Sequence, residues 1–158
     1  IIVLMHWGDV NSSKISDNQT EIADFLVKQG VDMILGSHPS VVEPMKIVQN
    51  KEGRNVLIAY SLGNYISNLK YKNADVEIIL NIEIVKEADS DKAILQKVDY
   101  TPIYMLDNGK NTENRFELAD MKQLVYNYAA GDQSKITRKK YDEIVLKLEE
   151  LQKIINAE

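Results

Sequence analysis

The chain has no cysteine. Disulfides, thiolate nucleophiles and zinc–thiolate centres are therefore excluded. The compartment stays open, because secreted bacterial proteins often lack cysteine as well. Basic residues are in the minority: 19 Lys and Arg stand against 24 Asp and Glu, for a formal charge of -5. No basic face accumulates that would track a nucleic-acid backbone, and nucleic acid is not an expected partner. The single basic run, Arg138-Lys139-Lys140, reads as the solvated start of a helix. No apolar run is long enough to cross a bilayer. No basic, apolar and small-residue leader opens the sequence as given, and that absence does not make the protein cytosolic. Histidine is nearly absent too, with His6 and His38 the only two.

What is there is a set of short apolar runs, each ending in a polar, glycine-bearing loop. Ile1 to Met5, Val31 to Leu35 and Asn55 to Tyr60 read as strands, the first covered on both faces. Between the first two, Ser16 and Gln19 form a capping box that opens a helix. Ile22, Phe25 and Leu26 are its expected buried stripe, and Gly30 suits its C′ position. Strand, helix and strand in that order imply a parallel crossover. Pro39 disfavours helix at His38 and is expected to hold it extended.

Val76 to Val85 alternates apolar and polar residues, as a half-buried antiparallel strand does. A turn at Ala88 to Lys92 leads to a partner at Ile94 to Tyr100, closing a hairpin that Pro102 ends. Asn114 with Glu117 predicts a helix start, carrying Leu118, Met121, Leu124, Val125 and Tyr128 as its stripe and stopping at Gly131. Thr137 starts a last amphipathic helix. These two helices are expected to pack on the domain or on another subunit. With 158 residues there is enough chain for one core and an appended helical piece. The expected division is 1–103 and 104–158.

His6 and His38 follow strand ends, where open α/β sheets gather ligands. A neutral imidazole offers a lone pair to a divalent metal, and Asp9, Asn11 and Asn64 stand on nearby loops as oxygen partners. That mixture suits manganese, iron or zinc. The alternative is two histidines merely hydrogen-bonded at a sheet edge, since two imidazoles fall short of a full site. Ser37 and Ser61 lack the Gly-x-Ser-x-Gly elbow of a nucleophile, and the reading for both is a hydroxyl satisfying loop amides. Trp7 stands either as a cleft wall or as a plug at the edge of the core.

Four stretches carry a more specific signal. They are His6-Trp7-Gly8-Asp9-Val10, Gln19 in the following helix, Gly36-Ser37-His38-Pro39-Ser40-Val41-Val42-Glu43-Pro44, and Tyr60-Ser61-Leu62-Gly63-Asn64-Tyr65. In order and spacing, residues 1 to about 103 resemble the second half of the CapA family of capsule-synthesis and poly-gamma-glutamate biosynthesis proteins, which look like calcineurin-type metallophosphatases. The resemblance implies an α/β fold, a metallophosphatase-like mixed β-sandwich flanked by helices, present here as a C-terminal fragment.

It also implies a metal or phosphate-binding role for His6 and His38, with Trp7, Asp9, Ser40, Ser61 and Asn64 in support. Val10 stands where the family has glutamate and Ser40 where it has a second histidine, so the divalent-metal site is expected to be incomplete in this chain. The function implied is synthesis, export or anchoring of an anionic polymer on the extracellular face of the cell membrane, through an anchor outside this sequence. The implied partners are the missing N-terminal half, a membrane-bound polymer synthase complex and the polymer itself. A metal-dependent phosphoesterase-like hydrolase and a degenerate scaffold are the other two readings.

Overall fold

Four short strands build the sheet that carries both histidines. The computed structural model describes residues 1–86, 88, 93–110 and 112–157. In it β1 (Ile2–His6), β2 (Met33–Ser37), β3 (Met45–Gln49) and β4 (Asn55–Ala59) lie in the order β1-β2-β4-β3. The first three neighbours run parallel and β3 joins β4 antiparallel. Helix α1 (Asp17–Lys28) connects β1 to β2 and opens on the expected capping box of Ser16 and Gln19. It covers one face of the sheet, where Ala23, Ile34, Ile58, Tyr60 and Trp7 form a core joined by Val3 and Met5.

Two expectations about this sheet fail. Strand β1 is not covered on both faces: Ile2 is 53% and Leu4 77% exposed. A continuous apolar run predicts coverage, but β1 is an edge strand and α1 shields only its alternate side chains. Phe25 is not in the buried stripe of α1 and is 59% exposed. The helix is turned so that Gln19 and Ala23, one turn apart, reach the interior, because Gln19 has a buried polar partner there.

The second sheet is antiparallel, with β5 (Val76–Lys86), β6 (Ala93–Asp107) and β7 (Phe116–Asp120) in that order. The β5–β6 hairpin is as expected; apart from Ala88, the turn expected at 88–92 lies outside the described residues. Pro102 does not end β6, which runs on to Asp107. Strand β7 covers β6 only from Ile103 onward, so Pro102 lies where that side of β6 needs no N–H for a ladder. The helix expected from Asn114 starts later. Phe116–Asp120 pairs with β6 as a strand, and the Asp120 carboxylate caps α2 (Met121–Ala129) by accepting from the amides of Lys122 and Gln123. Helix α3 (Arg138–Ile155) starts at its Thr137 cap as expected.

The fold is thus mixed α/β, two sheets with three helices among the described residues. Helices α2 and α3 bury Met121, Leu124, Ile144, Leu151 and Ile155 against Val76, Ile78, Tyr104 and Leu106 of the second sheet. Val42, from the loop after β2, enters the same cluster. The division expected at 103–104 falls inside β6.

Candidate functional site

Parallel pairing of β1 with β2 sets His6 opposite Ser37. The amide of Trp7 donates to the Ser37 carbonyl at 3.1 Å, one step beyond the strand. His38 follows directly, and the two imidazole rings lie with centroids 4.3 Å apart, tilted by 50°. Both residues are exposed. The two imidazoles therefore stand side by side, facing solvent.

His38 is not extended. Its φ is +106°, Ser40 follows at +62°, and Asn11 and Tyr65 on the adjoining loops stand at +65° and +62°. Pro39 removes the helical option for His38, yet the chain has to turn back over the sheet edge. The Pro39 carbonyl accepts from the Asn11 amide at 2.7 Å, and the Ser37 hydroxyl donates to the Met5 carbonyl at 3.0 Å. These bonds hold the turn in a left-handed form that costs about 1–3 kcal/mol per non-glycine residue. Strained residues gather on the three loops that leave β1, β2 and β4 at the same edge, the pattern of a functional loop cluster.

Beneath the histidines the packing is close. Trp7 is buried, stacked on Tyr60 at 5.6 Å, and its indole Nε1 donates to the Tyr60 carbonyl at 2.9 Å. Of its two sequence readings, the plug describes it. Gly36 lies between them without room for a side chain. Further back, the Gln19 side chain is fixed by two bonds to its Oε1, from the amide and the hydroxyl of Ser16, at 2.9 and 3.0 Å. Its Nε2 donates to Glu43 Oε2 at 2.7 Å. Glu43 Oε1 has no partner. Burial pushes the Glu43 carboxyl up to about 7, the Gln19 bond opposes that, and the Asp9 charge adds to it.

The other expected site residues fall as follows. Asp9 is exposed, near enough to load Glu43 electrostatically. The Ser40 hydroxyl donates to the His38 carbonyl at 3.3 Å, bracing the strained turn. Ser61 is buried; its hydroxyl donates to the Val41 carbonyl at 2.8 Å and accepts from the Gly63 amide, a loop-bracing role. Asn64 donates to the Ser67 hydroxyl. Among the described residues no three His, Cys, Asp or Glu side chains gather to hold a metal. The pair itself supplies two imidazoles.

Glu43 and its buried bond to Gln19 went unforeseen, although a carboxylate inside the run Val41-Val42-Glu43-Pro44 is a signal, since a buried acid demands a partner. Replacing Gln19 by leucine is expected to cost about 1–3 kcal/mol by leaving Glu43 unpartnered. The cost should be larger at pH 8 than at pH 6, because the lost bond favours the ionised carboxylate; urea unfolding at both pH values measures it.

Residues 1–69 match the family described as bacterial capsule synthesis protein PGA_cap. The chain is 33% identical over 66 residues to the PGA biosynthesis protein CapA of Bacillus subtilis (strain 168), covering 42% of this chain and 16% of that protein. It is 28% identical over 150 residues to the capsule biosynthesis protein CapA of Bacillus anthracis, covering 94% of this chain and 33% of that protein. The chain therefore spans a third or less of the length of these curated relatives. No match to a solved structure was found.

Proposed function

We propose, from the match of residues 1–69 to the bacterial capsule synthesis protein family, that the chain serves the synthesis, export or anchoring of a poly-gamma-glutamate capsule polymer at the outer face of the cell membrane. One observation carries the reading. The matched span contains the histidine pair, its strained loops and the buried Gln19–Glu43 bond beneath them. The names of the two relatives supply the polymer and the process.

No helix among the described residues is long and apolar enough to cross a membrane, so anchoring is assigned in this proposal to another part of the protein or to a membrane-bound synthase complex. The exposed Ile1, Ile2 and Leu4 on the open edge of β1 support docking of further polypeptide there, since an unpaired strand edge readily recruits another strand. The donor set at His6 and His38 favours a binding or scaffolding role over chemistry performed by this chain alone.

Deleting the gene is expected to remove cell-associated glutamate polymer, and the full-length gene is expected to restore it. Glutamate released by acid hydrolysis of washed cells is the readout. Unchanged polymer after deletion would overturn the proposal.

A further inference from the structure

We propose that the pocket between the Asn11–Ser13 loop, Lys72–Asn73 and helix α3 binds a single carboxylate-bearing amino-acid unit of an anionic polypeptide. The inference rests on the polymer reading above and names a binding place for it, largely built by residues beyond the 1–69 match.

The cavity has a volume of about 100 Å³, room for a side-chain-sized group and not for a folded segment. Its floor is apolar: Val42, Val76 and Leu151 are buried there, with Ile154 beside them. A short methylene stem fits such a floor. Its mouth is charged. Lys72 Nζ pairs with Glu150 Oε1 at 2.5 Å, with Lys72 79% exposed. An ion pair that open is worth little, roughly 0–1 kcal/mol, so exchanging its partners costs little. A ligand carboxylate takes the Lys72 ammonium, and the released Glu150 carboxylate accepts the ligand's amide N–H.

Lys147 is held differently. It is 17% exposed and pairs with Asp75 at 2.7 Å, leaving a fixed charge pair at the cavity wall. The two lysines are thus matched by two carboxylates. A multiply charged phosphate finds no excess of positive charge here, whereas one carboxylate with one N–H replaces the Lys72–Glu150 pair group for group. The rim is connected to the histidine loop, because the Asn11 amide donates to the Pro39 carbonyl at 2.7 Å. A polymer unit seated in the pocket has its neighbouring units beside the loop that carries His38.

The test titrates the full-length protein by calorimetry with a γ-linked glutamate trimer, and with a γ-aminobutyrate trimer that lacks the carboxylates. The glutamate trimer is expected to bind and the aminobutyrate trimer not. Lys72→Met should weaken binding about tenfold, as loss of one charge-assisted hydrogen bond does, and Ser13→Trp should abolish it by filling the mouth. Both variants should keep the parent melting temperature.

Equal binding of both trimers, or undiminished binding by both variants, would overturn the pocket while leaving the polymer reading intact. If the glutamate trimer does not bind, the polymer assay on deletion and restored cells separates the two failures. Gene-dependent polymer would then sink the pocket alone, and gene-independent polymer would sink both.

Discussion

Gly36→Ala is expected to abolish cooperative folding or to lower the melting temperature by about 10–20 °C. A Cβ at Gly36 would lie 1.8 Å from the Tyr60 carbonyl oxygen, 2.7 Å from the Tyr60 carbonyl carbon and 2.4 Å from the Trp7 Nε1. Two of these atoms are backbone and the third is committed to the Tyr60 carbonyl at 2.9 Å, so none can retreat without separating β2 from the chain leaving β4. Core overpacking of this severity belongs with the rare substitutions that cost more than about 4–5 kcal/mol, a large part of the ~5–15 kcal/mol that holds a domain folded.

Gly30→Ala is the control. Gly30 has φ +88° and nothing within 4 Å of the added carbon, so only backbone strain opposes it, about 1–2 kcal/mol. Thermal melts by circular dichroism compare the two. A Gly36→Ala protein melting with the wild type would refute the close approach that seats Trp7 under the histidines.

The second large effect is a dependence of stability on pH set by Glu77. Its side chain is 2% exposed and neither carboxylate oxygen has a hydrogen-bond partner. Burial raises its pKa from 4.5 to about 8, and the nearby Asp75 charge adds to the rise. The folded protein therefore keeps this proton through a window in which the unfolded chain has released it. Where the unfolded state binds fewer protons, stability falls as pH rises. The loss begins above the ordinary value of 4.5 and is complete above about 8, and it amounts to a few kcal/mol.

Wild-type protein is thus expected to be less stable at pH 9 than at pH 6, and Glu77→Gln should flatten most of that slope. Glu43, raised to about 7, leaves a residual dependence in the variant. Urea unfolding across pH 5–9 is the check, and identical slopes in the two proteins would contradict it. The site shares in this effect. The Leu62 carbonyl accepts from the Ile78 amide at 3.0 Å, and Gly63 packs against Glu77, so ionisation of Glu77 acts on the Ser61–Asn64 loop.

Much of this arrangement was legible in the sequence, for reasons that can be named. The strands at residues 1–5, 31–35 and 55–60 announce themselves because apolar runs ending in glycine loops have few other uses. The pairing of His6 with His38 follows from two strand exits at one sheet edge. Coverage was not legible. The exposed Ile2 and Leu4 look in sequence like the buried Met33 and Ile34, because neighbours, not composition, decide which strand is at the edge. Local signals also misplaced what tertiary pairing controls. Glu117 and Leu118 carry a helix-start pattern but are drawn into β7 by the free side of β6, and Pro102 passes through a strand only because β7 begins one residue later. The conformation of His38 escaped for a related reason. The restriction from Pro39 excludes helix but not a positive φ, and the turn is tied to Asn11, which no local rule connects to it.

The most direct test of the account replaces both imidazoles by phenyl rings, as His6→Phe with His38→Phe, in the full-length gene restored to the deletion strain. The rings are exposed and in tilted contact, so phenyl rings keep an aromatic pair there while every ring nitrogen is removed. The account predicts a protein that accumulates and melts like the wild type and cells that carry no surface glutamate polymer. Cells that carry normal polymer with this variant would contradict it, because the histidine pair would then be no part of the site.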